Sequence, residues 1–196
     1  MWDERYAGDR FVFGTEPNDF LAAQYTVFRP GSRILSLGEG EGRNAVFLAR
    51  QGFSVTGVDA SRIGLEKALK LAAEYGVQIT VDVGNLADMP FDGPYDGVVS
   101  IFCHLPRETR QHIHRKAQSA LTPGGLFLLE LYRPEQLQYG TGGPPTVDML
   151  VTLDDLVSDF EGMELLFGQH IDRDVHEGVL HTGRSAVVQA IFQKPL

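Results

Sequence analysis

Residues 34–44 read Ile-Leu-Ser-Leu-Gly-Glu-Gly-Glu-Gly-Arg-Asn, and the reading of this stretch decides the fold. An apolar run, Ile34 to Leu37, ends in glycines at every second position, Gly38, Gly40 and Gly42. A helix-compatible segment follows at once, from Asn44 to Gln51. Strand, glycine turn and helix in that order place a backbone-lined nucleotide pocket at the carboxyl end of the first strand of a doubly wound sheet. The turn's composition narrows what the pocket holds. A dinucleotide turn takes its third glycine one place later, where Arg43 stands, and lays a pyrophosphate on the helix amides. Here Glu39 and Glu41 would repel a diphosphate at close range and favour a cation.

The downstream spacing adds a second element. Ser54 to Val58 reads as a β-branched and apolar strand ending at Asp59. An acid about twenty residues beyond the first glycine accepts hydrogen bonds from the ribose hydroxyls. Asp59 also fits an N-cap for a helix starting near Ile63, a task that Ser61 could take alone. A nucleoside that carries positive charge and no phosphate is S-adenosyl-L-methionine (SAM), with its sulfonium and ammonium groups.

Outward from these motifs the chain alternates strand and helix without a linker or repeat. The pattern predicts a helix around Asn18 to Tyr25, strand 33–37, helix 44–51, strand 54–58, helix 62–75, strand 78–83, strand 96–101, helix 107–121 and strand 125–131. Pro123-Gly124-Gly125 separates that last helix from its strand. Leu153 to Phe160 reads as a short helix capped by Thr152. Met163 to Val175 and Arg184 to Gln193 then read as two strands joined by a turn containing Gly178 and Gly183, hence antiparallel. The expected fold is α/β: a Rossmann-like, doubly wound, seven-stranded and mostly parallel sheet that ends in an antiparallel β-hairpin.

Composition sets outer limits. A chain of 196 residues with 43% hydrophobic content suits a single core. A net charge of −9 argues against a broad nucleic-acid face. No apolar run reaches membrane-spanning length, the amino terminus lacks a signal-peptide layout, and the lone Cys103 permits no internal disulfide. A cytoplasmic protein, monomeric or homodimeric, without nucleic-acid or membrane partners is expected. No histidine spacing suggests a metal site.

The glycine turn, Asp59, Asn85 to Phe91, Tyr95 to Ser100 and Leu121 to Gly125 fall in the order and spacing of the class I SAM-dependent methyltransferases, which the chain resembles over nearly its whole length. Within that superfamily it is most similar to the tellurite-resistance and thiopurine (thiol) methyltransferase group, through Trp2 to Tyr6, Phe13-Gly14 and Pro17 to Leu21. The resemblance implies one domain over 1–196, with 1–30 as a helical lid on a core of 31–196. It implies SAM contacts from Trp2, Tyr6, Gly38, Glu39, Gly40, Gly42, Asn44, Asp59, Ala60, Asn85, Leu86 and Ile101. Asn85 would reach the adenine amino group; its other reading is a turn former. Asn44 also reads as a helix N-cap. The family's usual acid at the head of the first motif is replaced by Ser36, and Glu39 or Glu41 is expected to take over its electrostatic task.

Methyl transfer is an in-line displacement on an already activated donor, so alignment and exclusion of water matter most. Acceptor-side candidates are His176, His181 and Arg184 in the terminal hairpin, with Arg173 shortly before it; histidine and arginine suit a thiolate or an oxyanion. Tyr132 and Arg133 are further candidates. His104 reads as structural with a base role open, and His112 and His114 as solvent-facing. The expected activity is methylation of a small molecule, such as a thiol or a metalloid oxyanion. A non-catalytic SAM-binding sensor and an NAD-dependent oxidoreductase are the alternatives.

Overall fold

The computed structural model describes residues 2–196. Met1, the first residue of the expected lid segment, lies outside the described residues. Among those described, strands β1 (Arg33–Leu37), β2 (Ser54–Asp59), β3 (Thr80–Val83), β4 (Tyr95–Ile101), β5 (Leu121–Tyr132), β6 (Glu164–Glu177) and β7 (His181–Gln193) form a seven-stranded sheet. Its order is β3-β2-β1-β4-β5-β7-β6. β1 to β5 run parallel, while β7 is antiparallel to both β5 and β6. The expected sheet and its terminal hairpin are thus present. The strand order reverses between β1 and β4, which opens a crevice at the carboxyl ends of these strands.

Burial follows the two-residue period of the strands. Leu35, Leu37, Val98, Phe127 and Leu129 pack on one face with Ile113 and Phe160. Ile34, Val99, Leu128 and Ile191 pack on the other with Phe20, Phe28 and Leu48. The covering helices are α1 (Trp2–Tyr6), α2 (Asp19–Gln24), α3 (Arg43–Arg50), α4 (Arg62–Glu74), α5 (Arg107–Ala120) and α6 (Leu153–Asp159). Ser61 caps α4 by accepting from the Gly64 amide at 3.0 Å, and Thr152 opens α6 in a reciprocal capping box with Asp155. Among the described residues no helix is long and apolar enough to cross a membrane.

Three local expectations are corrected. The N-cap of α3 is Gly42, not Asn44: Gly42 takes a left-handed φ of 97°, and a Cβ there would lie 2.6 Å from the Ala68 Cα of α4. β5 starts at Leu121, immediately after α5, and its register with β4 shifts between Tyr95 and Gly97. The hairpin strands run on to Glu177 and from His181, so Gly183 belongs to β7 and the turn is only three residues long.

Candidate active site

The crevice beyond β1, β2 and β4 is a cleft of about 570 Å3. Its floor is the glycine turn. Gly38 has a left-handed φ of 63°, and a Cβ on it would sit 2.7 Å from the Cys103 Sγ. Beside it the Glu39 carboxylate accepts from the Ala45 amide at 2.9 Å and takes a short hydrogen bond from the Ser36 hydroxyl. A buried carboxylate thus lies three residues after Ser36 and is oriented by that serine. Burial pushes the Glu39 carboxyl up to about 7, against the pull of those two donors.

Glu41 does something else. It pairs with Lys67 Nζ at 2.7 Å and accepts from the Val12 amide at 2.7 Å, so its charge is spent on holding the amino-terminal segment. Lys67 also reaches the Arg10 carbonyl, Ser61 donates to Asp3, and the Val179 amide of the hairpin turn donates to the Val12 carbonyl at 2.9 Å. These bonds carry the rings of Trp2, Tyr6 and Phe13 to the mouth of the cleft.

Asp59, at the end of β2, accepts from the Gly40 amide at 2.9 Å and the Ser61 amide at 2.7 Å; burial raises its carboxyl pKa. Because Ser61 caps α4 itself, Asp59 is not needed for that task. Asn85 closes a polar turn, donating to Asp88 at 2.8 Å and accepting from the Ala87 amide at 3.1 Å, and it lines the cleft with Leu86. Lys116 steadies this loop through the Leu86 and Met89 carbonyls.

The opposite end of the cleft is a wall of rings. Phe102, in a strained left-handed conformation (φ 51°), ends β4 and turns Cys103 and His104 inward. Ring centroids lie 4.6 Å apart for Phe13–His181, 4.8 Å for Phe102–His181 and 4.6 Å for Phe102–Tyr132, and His104 stacks on Tyr132 at 5.3 Å. Burial lowers His104 to about 3 and His181 to about 4, and it lifts the Cys103 thiol to about 12. Both imidazoles are neutral and the thiol is protonated across the physiological range.

Of the residues expected to hold the cofactor, Trp2, Tyr6, Gly38, Glu39, Gly40, Asn44, Asp59, Ala60, Asn85, Leu86 and Ile101 line the cleft. Gly42 does not; its role is the close packing of α3 on α4. Asn44 accepts from the Asn18 amide at 3.0 Å and so ties α2 to the turn. Of the hairpin candidates only His181 reaches the cleft. His176 and Arg184 are exposed and pair across the hairpin with Thr182 and Asp174, on the face opposite Glu177 and His181, because neighbouring strand residues point to opposite sides. Arg173 is also engaged within the fold. Half-buried, it pairs with Glu130 at 2.5 Å and Glu177 at 3.0 Å, while Arg43 takes the other Glu177 oxygen at 2.5 Å. Asn18 donates to both glutamates and Gln189 to Glu130. Two guanidiniums thus balance two buried carboxylates, locking the hairpin to α2 and α3. Arg133 is likewise engaged, with Asp172 and Glu135. His114 is buried rather than solvent-facing: it stacks on Phe160 and shares Asp159 with Arg110. His112 is exposed, and its ring meets the Ala87 carbonyl. No group of three or more His, Cys, Asp or Glu among the described residues could hold a metal ion.

The donor set fits SAM better than a dinucleotide. Two buried carboxylates, Glu39 and Asp59, flank the turn, and the Gly40 amide that would cradle a phosphate is already bonded to Asp59.

Comparison with known proteins bears on this geometry. A sequence profile described as a methyltransferase domain matches residues 34–125. An uncharacterized methyltransferase of Synechocystis sp. is 35% identical over 127 residues, which cover 63% of this chain and 58% of that protein. A structure solved for the conversion of a disulfide bond into a thioacetal group during echinomycin biosynthesis superposes with a TM-score of 0.80 at 17% identity, covering 98% of this chain and 88% of that one. TehB from Haemophilus influenzae superposes with a TM-score of 0.74 at 16% identity, covering 98% of this chain and 65% of that one. At such identities the two solved structures share the fold. Residues 34–125 are thus similar to a methyltransferase domain, the chain spans about 58% of the length of its Synechocystis relative, and its seven-stranded sheet has the fold of the two solved structures.

Proposed function

We propose that this chain transfers the methyl group of SAM to a small-molecule acceptor. The observation that carries this reading is the Ser36–Glu39 pair beside Asp59: it sets buried negative charge where a sulfonium and an ammonium would be held and a diphosphate repelled. In this reading Glu39 meets the ammonium, Asp59 the ribose hydroxyls, and Asn85 with the Leu86 backbone the adenine. When bound, SAM supplies the activated methyl group. The protein's own part is to align the acceptor and keep water out. Residues 1–30 act as a lid, since Glu41 and Val179 hold the Val12 backbone across the cleft.

A thiol suits the acceptor side better than tellurite or another oxyanion. Among the described residues lining the cleft, the cations are Arg5, which lies over the Trp2 ring at the rim, and Arg43, which is paired with Glu177. With His176 and Arg184 outside the cleft and His181 neutral, an oxyanion would meet little compensating charge. A reducing cytoplasm would suit the half-buried, free Cys103 thiol, and the net charge of −9 speaks against a nucleic-acid acceptor. The test is transfer of tritiated methyl from SAM to a panel of thiols, phenols, selenite and tellurite. Turnover on a small acceptor is expected; tight SAM binding without transfer to any of them would overturn the enzymatic reading.

A further inference from the structure

The ring-walled end of the cleft contains a feature that the fold alone does not require. His104 follows the strained Phe102, and its Nδ1 lies 3.2 Å from the Met149 carbonyl oxygen. A carbonyl only accepts, so Nδ1 carries the proton and Nε2 of the neutral ring carries a lone pair. That Nε2 is buried and has no hydrogen-bond partner, and Nδ1 of His181 is in the same position. A buried acceptor without a partner costs free energy unless something else satisfies it. The surroundings define what could. Phe13, Phe102, Leu105, Pro144, Met149 and Leu180 line the cleft with these imidazoles, and of the charged groups that act on His181, Arg43 and Glu177 are paired with each other and Arg5 lies over the Trp2 ring at the rim. The carboxylates at the far end disfavour an anion.

Resting on the methyltransferase reading, we propose that His104 is the acceptor-side base. Its Nε2 takes the proton of an uncharged, ring-bearing acceptor, a phenol, a ring N–H or an aromatic thiol, that packs against Phe13, Phe102 and His181. The acceptor atom uses a lone pair to form the bond to the methyl carbon, and the carbon–sulfur bond gives its pair to sulfur. The acceptor's proton, made acidic by the new bond, passes to Nε2 and later to water. The positive charge lost at sulfur reappears on the imidazole, so the cleft's net charge is unchanged through the step. Burial, which holds the free ring near a pKa of 3, keeps Nε2 deprotonated until that moment.

The experiment uses the full chain with 2-naphthol and tellurite as probes. Calorimetry on the S-adenosylhomocysteine complex should show 2-naphthol binding and no tellurite binding. Nitrogen-15 spectra of that complex should show His104 protonated at Nδ1, with the Nε2 signal moving when 2-naphthol is added. Tritiated methyl should pass to 2-naphthol, and His104→Gln and His104→Phe should each slow that transfer about a hundredfold or more with the SAM Kd unchanged. If SAM does not bind, the methyltransferase reading falls and this inference with it. If SAM binds, the inference alone is overturned by any of four results. These are failure of 2-naphthol to bind or accept methyl, preferred transfer to tellurite, full rate in a folded His104 variant, or a proton on Nε2 in the wild-type complex. The spectra decide the matter even if both variants fail to fold.

Discussion

Replacing Glu39 with glutamine separates the charge of this side chain from its shape. The amide keeps an oxygen to accept from the Ala45 amide and turns its NH2 to donate to the Ser36 hydroxyl oxygen, but it removes the carboxylate that the account assigns to the ammonium of SAM. Burial places the carboxyl pKa at about 7 in the free protein. If only the ionised form binds the cation, apparent affinity follows the ionised fraction, which is about a tenth at pH 6 and half at pH 7, so the association constant should rise about fivefold over that unit. Stability of the free protein runs the other way. The folded pKa lies above the ordinary carboxyl value of 4.5, so Glu39 contributes most below pH 4.5 and loses that contribution as the pH rises through 7. At 1.36 kcal/mol per pKa unit, the loss approaches about 3 kcal/mol. Calorimetric titration with SAM at pH 6.0, 6.5 and 7.0, in two buffers of different ionisation enthalpy, reads both the affinity and the proton released. Glu39→Gln should bind SAM more weakly at pH 7 and with no slope across this range. A wild-type slope of zero, or a variant that keeps the slope, would refute the reasoning.

Three further outcomes follow from the same contacts. Glu41→Ala frees Lys67 and the Val12 amide, which should cost about 2 kcal/mol, speed tryptic cleavage after Arg10, and leave the pH slope of SAM binding intact; loss of the slope would return an ammonium role to Glu41. Gly42→Ala must place a Cβ 2.6 Å from the Ala68 Cα at a left-handed φ. It should destabilise by about 2–4 kcal/mol in denaturant titration, with SAM affinity of the folded protein unchanged. Asp159 opposes the effect of its burial through bonds from His114 and Arg110, which hold its carboxyl at about 2. Its contribution should therefore be complete above pH 4 and vanish as the pH falls towards 2, and Asp159→Asn should be less stable at neutral pH but flatter in acid unfolding.

What the sequence reveals depends on how local each determinant is. The turn from Ile34 to Asn44, the acid at Asp59 and the hairpin are written in contiguous residues, and the structure contains all three. The buried ion network is not legible because Asn18 meets Glu130 across 112 positions and Glu177 across 159. Arg173 consequently looks like a substrate ligand until its partners are seen. His114 sits on a polar helix and gives no sign that Phe160 and Asp159 will cover it. The separation of His181 from His176 and Arg184 follows from strand parity, and counting alternate residues back from Val187 and Ser185 would have found it. The inward turn of His104 rests on one left-handed phenylalanine, for which no composition rule exists.

Thermal unfolding with SAM and with NAD+ tests the central claim most directly. At a hundred times its Kd, SAM should stabilise the chain by about 2.7 kcal/mol, a rise of about 5–10 °C for a domain of this size, and NAD+ should leave the midpoint where it is. A rise with NAD+ and none with SAM would contradict the account, because it would mean that the glutamate-bearing turn accepts a diphosphate after all.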